Sequence, residues 1–88
     1  MKVEFLSKFS KDIDKISTKS TKKRVIQLIQ QLEQTSDLNE IKSIKKLVGF
    51  SNAYRIRLGD FRVGLFLDND VVTLARILHR KDIYKLFP

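Results

Sequence analysis

The sequence predicts a single α+β domain, residues 1–88, in which a mainly antiparallel sheet carries helices on one face. Two observations predict this fold class. Apolar residues recur at the three- and four-residue spacing of amphipathic helices as far as residue 35, and from Ala53 onward they alternate with polar residues. The expected order is therefore an N-terminal strand, a helical hairpin and a three-stranded antiparallel meander.

The chain begins with a short apolar stretch, residues 3–6, that suits a first strand. The spacing then changes, because Phe9, Ile13 and Ile16 lie on one face of a helix, with charged residues between them. The polar residues 17–21 interrupt this pattern and predict a turn between two helices.

A second amphipathic helix is expected over about residues 21–35. Two such helices in a hairpin need an apolar surface to pack on, which the sheet supplies. Residues 37–50 are expected to form a partly buried, irregular connection. The apolar stripe of the second helix consists of Val25, Ile26, Ile29 and Leu32.

Two turns divide the C-terminal half into three strands. Gly59-Asp60 has glycine at the first central position, as a two-residue type II′ hairpin turn requires. Asp68-Asn69-Asp70 predicts the second turn, and residues 71–78 are rich in β-branched and apolar side chains. Residues 79–85 contain too few apolar side chains to predict an element of their own.

The composition excludes several classes of protein. The chain has no cysteine, so disulfides and thiolate metal sites are ruled out, and with one histidine we expect neither a metal nor a cofactor. Lys2, Glu4 and Lys8 interrupt the apolar residues of the N-terminus, which is unlike a signal peptide. No apolar run approaches the roughly 20 residues of a membrane span. We therefore expect a cytoplasmic protein.

The charge balance points to a polyanionic partner. Eighteen Lys and Arg against ten Asp and Glu give a net charge of +8. Such a field attracts polyanions and speeds their encounter, which favours nucleic acid or an acidic protein. The alternative is that the charge serves only solubility.

The predicted hairpin concentrates this charge on one face. With Gly59-Asp60 as its loop, Arg57 faces Arg62 and Arg55 faces Gly64, all on the side away from the predicted helices. Like charges directly opposite repel, so this face favours a bound anion, and the fork of arginine matches phosphate. Gly64 adds room for a close approach. The alternative is a solvated sheet face without a ligand.

Several segments resemble the C-terminal half of RelE-type toxins. This family shows the pattern Y-[RK]-I-[RK]-x-G-[DN]-[YF]-R, a following pair of strands, and a closing H-R-[RK]-x-[VI]-Y. The matching segments are Tyr54 to Phe66, Val71 to Leu74 and His79 to Tyr84, preceded by Lys45-Lys46-Leu47 and Gly49. The resemblance covers the whole chain in element order and is detailed over about its last 35 residues.

This resemblance implies a toxin of the RelE/ParE superfamily, encoded beside its antitoxin in a type II toxin–antitoxin system. RelE-like members cleave messenger RNA in the ribosomal A site, whereas ParE-like members share the fold and poison DNA gyrase. The terminal Arg80 and Tyr84 favour the RNA-cleaving branch. The implied partners are the ribosome, mRNA and an antitoxin whose acidic segment folds on the basic surface, in a hetero-oligomer that binds operator DNA through the antitoxin.

The same resemblance assigns roles to individual residues. RNA is cut without a metal when its 2′-hydroxyl attacks the adjacent phosphorus, which requires a base, cations for the phosphorane and an acid. Apart from the resemblance, His79 is a candidate base because histidine is the one side chain type with an unperturbed pKa near neutrality, although a strand end bonded to backbone is the favoured interpretation. The catalytic candidates are Arg62, Arg80, Tyr84 and His79, and the phosphate-binding candidates are Arg55, Arg57, Lys81 and Lys46.

Overall fold

The computed structural model describes residues 1–88 and confirms the α+β fold. One sheet has the strand order β1-β5-β4-β3-β2. The strands are β1 (Lys2–Phe5), β2 (Ile44–Lys46), β3 (Ala53–Leu58), β4 (Phe61–Asp68) and β5 (Val71–His79). The helices are α1 (Ser7–Asp14), α2 (Lys19–Gln34) and α3 (Ile83–Leu86), with a 3-10 turn at Leu38–Glu40.

The meander β3-β4-β5 has the predicted turns, and its β3–β4 hairpin has the predicted register. Gly59 has φ +62°, as the first position of a type II′ turn requires, and β3 pairs with β4 so that Arg57 lies opposite Arg62. Asn69 and Asp70 have φ of 49° and 63°, the left-handed pair of a type I′ turn between β4 and β5. The right register puts the arginines and the apolar side chains of this hairpin on opposite faces.

The main core lies between the helical hairpin and the sheet. Side chains from α1 and α2 pack on alternate residues of the three long strands, as the two periodicities predict, except where a bulge interrupts β5. The helices contribute Phe9, Val25, Leu28 and Leu32, and the strands contribute Ile56, Val63, Leu65, Val72, Leu74 and Ile77.

Beside a bulge in strand β5, an ion pair joins this strand to helix α1. Ala75 has no partner in β4, because Arg76 pairs with Gly64 and Leu74 pairs with Leu65. Arg76 donates from Nε and Nη2 to the buried carboxylate of Asp12, at 2.8 and 3.1 Å. The hydrogen bond to Asp12 raises the pKa of Arg76 against the lowering by burial, and the charge of the carboxylate adds to the rise.

Two elements differ from the sequence prediction. The segment expected to be an irregular connection contains β2, an edge strand antiparallel to β3. The C-terminal tail, for which no element was predicted, forms α3. Ile83 and Phe87 are buried with Ala53 and Ala75, on the face of the sheet opposite α1 and α2. No helix of the structure has both the length and the apolar character that crossing a membrane requires.

Candidate nucleic-acid interface

A basic cleft lies on the sheet face that α1 and α2 leave uncovered. It has a volume of about 320 Å³. Strands β2, β3 and β4 supply its floor, and α3, which follows β5 in the chain, supplies one wall. We call it the arginine cleft, and its lining residues are Ser43, Ile44, Lys45, Arg55, Arg57, Arg62 and Tyr84.

The strand pairing places like charges beside one another in this cleft. Arg57 lies opposite Arg62 across β3 and β4, and Lys45 lies opposite Arg55 across β2 and β3. The cleft lining contains four cationic side chains and no carboxylate. Such pairs cost stability and are relieved by an anion held between them.

The guanidinium of Arg62 is fixed by the hairpin turn. Its Nη1 donates to the carbonyl oxygens of Gly59 at 2.8 Å and of Phe61 at 2.9 Å. Its Nε and Nη2 make no hydrogen bond within the protein, so they remain as donors for a ligand. Preorganised donors of this kind need no rearrangement when negative charge develops beside them.

Tyr84 reaches the cleft from α3. Its side chain is 68% exposed, and the guanidinium carbon of Arg55 lies 4.3 Å from its ring centroid. This cation–π contact holds Arg55 against the ring, while most of the tyrosine stays exposed. The pair offers a cation and an aromatic surface side by side, as a nucleotide requires.

The space beside Gly64 is filled by a side chain of the protein, whereas the sequence predicted that a ligand would approach there. A Cβ added at Gly64 would come within 2.5 Å of the Phe87 ring. The missing side chain therefore admits Phe87, which anchors the end of α3 and with it the position of Tyr84.

The structure does not bring His79 to the arginine cleft. His79 pairs with Phe61 and meets its ring edge-on at 6.1 Å, on the helix side of the sheet. Its Nδ1 accepts a hydrogen bond from the backbone N–H of Lys81 at 3.2 Å. These are the contacts of a residue that ends a strand, which was the favoured interpretation.

Arg80, Lys81 and Lys46 also lie outside the cleft lining. The backbone N–H of Arg80 donates to the carbonyl of Asp60 at 2.8 Å, which places Arg80 beside the hairpin turn with an exposed side chain. Lys81 is likewise exposed. Lys46 pairs with Tyr54, so it alternates with the arginines along the strands, but it lines a second cleft beside the first.

Lys45 and Ser43 were missed by the sequence prediction. Lys45 rather than Lys46 lines the cleft, because it is Lys45 that pairs with Arg55. Ser43, with φ +64°, accepts a hydrogen bond through its carbonyl from the N–H of Arg57 at 3.2 Å. Once β2 is recognised as a strand, the alternation of side chains identifies Lys45. The structure contains no group of three or more His, Cys, Asp or Glu side chains able to hold a metal ion.

The sequence is similar to a family of toxins and to one curated toxin. Residues 3–84 match the family described as the ParE toxin of type II toxin–antitoxin systems, parDE. The chain is 39% identical to Toxin RelE3 of Methanocaldococcus jannaschii over 88 residues, all of both proteins.

The fold is similar to that of toxins in solved toxin–antitoxin complexes. The RelB–RelE antitoxin–toxin complex of Methanococcus jannaschii matches with a TM-score of 0.83 at 35% identity, covering 97% of this chain and 99% of that one. The archaeal RelE–RelB complex of Pyrococcus horikoshii matches with a TM-score of 0.75 at 24% identity, over 90% of this chain and 93% of that one.

Proposed function

Because this chain belongs to the ParE toxin family of type II toxin–antitoxin systems, we propose that it is a ribosome-dependent endoribonuclease that inhibits translation by cutting mRNA in the A site. The arginine cleft carries this proposal. It gathers four cations and a tyrosine around a space of about 320 Å³ on an open sheet face. RelE-type toxins, which the C-terminal half resembles, have this activity.

The cleft suits a metal-independent cleavage. When the 2′-hydroxyl attacks the phosphorus, negative charge grows on the non-bridging oxygens of the phosphorane. The donors available for these oxygens are Arg57 and the free Nε and Nη2 of Arg62, on neighbouring strands. In this mechanism they stabilise the phosphorane, the P–O5′ bond breaks, and the products are a 2′,3′-cyclic phosphate and a 5′-hydroxyl.

Proton transfer falls to the remaining polar residues of the cleft. Arginine effectively cannot lose its proton, which leaves Lys45, Tyr84 and Ser43 among the lining side chains. We assign Tyr84 to stacking on a base or orienting the attacking hydroxyl. Electrostatic stabilisation and positioning by the ribosome then carry most of the rate, and no ideal base is required.

An antitoxin partner follows from the family, and two structures similar to this one are RelB–RelE complexes. A net charge of +8 suits an antitoxin with an acidic segment that folds on the toxin. The proposal includes a hetero-oligomer that binds operator DNA through the antitoxin, and a cytoplasmic location where the ribosome works.

Primer extension on a reporter mRNA, with and without translating ribosomes, tests the proposal. Wild type should cut only translated mRNA, within the A-site codon. Arg57→Ala and Tyr84→Ala should reduce cutting, by about 10²- to 10³-fold for the loss of one charge-stabilising donor. His79→Gln and Lys23→Ala, which change side chains outside the cleft, should cut normally. Arg80→Ala measures the role that the resemblance implies for this exposed arginine.

A second candidate is inhibition of DNA gyrase, since the matching family is named for ParE. A gyrase inhibitor needs no phosphorane-stabilising cleft. If growth stops, gyrase–DNA complexes accumulate and no mRNA is cut, the ribonuclease proposal fails and this candidate replaces it.

A further inference from the structure

A second cleft opens directly beside the arginine cleft. It has a volume of about 450 Å³ and shares Lys45, Arg55 and Tyr84 with the arginine cleft. Its remaining wall has one further cation, Lys46, and is otherwise apolar, with Val48, Phe50 and Phe87 among its residues. We call it the loop cleft, after residues 47–52, which connect β2 to β3. A ligand that fills the arginine cleft therefore has an adjoining apolar space for its next chemical group.

The loop exposes two apolar side chains to water, and these two side chains are not part of the core. Val48 is 93% exposed and Phe50 is 48% exposed, whereas Leu47 is buried and holds the base of the loop. Leu47 donates its N–H to the carbonyl of Ala53 at 2.9 Å. Gly49, with φ +86°, turns the chain between Val48 and Phe50, and no atom beyond these two neighbours lies within 4 Å of where its Cβ would be. A firmly anchored loop that displays apolar groups is typical of a binding surface.

The chemistry of the two clefts together identifies the occupant. A phosphodiester fits among the arginines, and the base of the same or the next nucleotide has an apolar face for Phe50 and Tyr84. Single-stranded nucleic acid is commonly held in this way, with cations along the backbone and aromatic side chains against unstacked bases. An acidic peptide would match the cations but offers no flat group at each anionic unit.

We propose that the loop cleft holds one unstacked base of the mRNA, and that Val48 and Phe50 determine which bases are cut efficiently. The inference rests on the proposed ribonuclease function and extends it to the choice of cleavage site. Arg57 lines the arginine cleft but not the loop cleft, so the two contributions are separable by mutation.

Sequencing the 5′ ends of mRNA cut on translating ribosomes tests this assignment. Phe50→Ala should reduce cutting by about 5- to 100-fold at the preferred sites, the range expected for the loss of one base–aromatic stack, and should flatten the base frequencies around the cut. Phe50→Tyr should restore the wild-type frequencies. Val48→Ser should shift the frequencies without affecting folding, because Val48 is 93% exposed. Arg57→Ala should lower cutting at all sites alike.

The control is Ile26→Ala, which removes a 58% exposed apolar side chain from α2 and should change nothing. Unchanged base frequencies in both Phe50→Ala and Val48→Ser, with active wild type, overturn the inference and leave the ribonuclease proposal intact. Loss of antitoxin binding by these variants, with unchanged frequencies, assigns the loop to the protein partner and also overturns it. A wild type that cuts no mRNA refutes the proposed function instead.

Discussion

Arg57 illustrates, at the scale of one residue, how the proposed activity opposes stability. It lies opposite Arg62 in the hairpin, and neither guanidinium is within 4 Å of a carboxylate. A like-charge pair in this position destabilises a sheet by some tenths of a kcal/mol. Selection for stability alone would not place two arginines there, and the anionic ligand that we propose would account for the pair.

Replacing Arg57 should therefore stabilise the free protein and inactivate it. Arg57→Thr keeps a good strand residue and removes the repulsion, and we expect the melting temperature to rise by about 1–4 °C. Cutting on ribosomes should fall by about 10²-fold. Circular dichroism melts at low and high salt provide the measurement, and the gain should shrink as salt screens the pair. A lower melting temperature would show that Arg57 contributes to the fold.

Asp12, in contrast to Arg57, stabilises the fold, because its buried carboxylate is satisfied by hydrogen bonds within the protein. Its carboxylate accepts both hydrogen bonds from Arg76 and a third from the N–H of Ile77 at 3.1 Å. Asp12→Asn removes the charge that two of these donors require, and we expect a loss of about 2 kcal/mol, or about 10 °C in melting temperature. Any folded Asp12→Asn protein should keep its cleavage sites, since Asp12 lies on the helix side. A melting temperature within 2 °C of wild type would contradict this account.

The pH dependence of this pair follows from the direction of the shift. The pKa of Arg76 is raised in the folded protein, so its contribution is complete below the unfolded value and is lost only as the pH rises above it. Arginine in an unfolded chain already keeps its proton up to strongly alkaline pH. Protonation of Arg76 therefore adds no pH dependence to stability anywhere near neutrality.

At the scale of elements, helix α3 depends on one close contact. The ring of Phe87 occupies the space that Gly64 leaves open, and Phe66 lies 5.2 Å from the same ring. Gly64→Ala should cost about 1–3 kcal/mol by displacing the ring, and should lower cutting because Tyr84 moves with α3. In a Phe87→Ala background the same change should cost less than about 0.5 kcal/mol, because the two residues no longer compete for space.

The energetic coupling between Gly64 and Phe87 is measured by urea denaturation of four proteins: wild type, Gly64→Ala, Phe87→Ala and the double variant. Additive effects of the two substitutions would show that Gly64 is required for its backbone and not for the Phe87 ring. Gly59→Ala is unsuitable as a control, since its positive φ makes any substitution there strained.

The elements that sequence patterns predicted are those whose stability is local or periodic. The β3–β4 hairpin was predicted with its turn and register, because Gly59 and the alternation of apolar residues fix both. Strand β2 has three residues and helix α3 has four, which is too short for either periodicity to be visible. Both elements exist because of tertiary contacts: β2 pairs with β3, and α3 is held by Ile83 and Phe87.

For the candidate site too, alternation predicted the residues on long strands and missed those on the short strand β2. The three strand arginines were identified because alternation applies to long strands. Lys45 was missed by one position, since its strand was not recognised. The partnership of Asp12 with Arg76 joins residues 64 positions apart, and no short-range pattern reports such a contact. His79 was considered for its pKa, whereas its place on the helix side follows from the pairing with Phe61.

At the scale of the whole molecule, the two faces of the sheet have separate uses. Helices α1 and α2 cover one face and bury the main core, while the other face carries the arginine cleft and the loop cleft side by side. Only α3 crosses onto that open face, and it delivers Tyr84 to the boundary between the two clefts. This division allows a small domain to keep a stable core and still concentrate repelling charges on its surface.

Salt dependence should distinguish the contributions of the two clefts. The affinity for a short single-stranded RNA, made non-cleavable by a 2′-O-methyl group, should fall with salt by about 0.7 in log–log slope for each phosphate neutralised. Arg57→Gln should reduce this slope by about 0.7, because it removes one phosphate contact. Phe50→Ala should weaken binding at every salt concentration without changing the slope, because stacking releases no counterions.

Lys23→Gln supplies the matched control for charge, since it removes one cation from the exposed side of α2. If binding is confined to the two clefts, its slope should equal that of wild type, as measured by fluorescence anisotropy. Equal losses of slope for Lys23→Gln and Arg57→Gln would mean that the net charge of +8 attracts RNA without a defined site. A changed slope in Phe50→Ala would mean that the loop positions a phosphate and not a base.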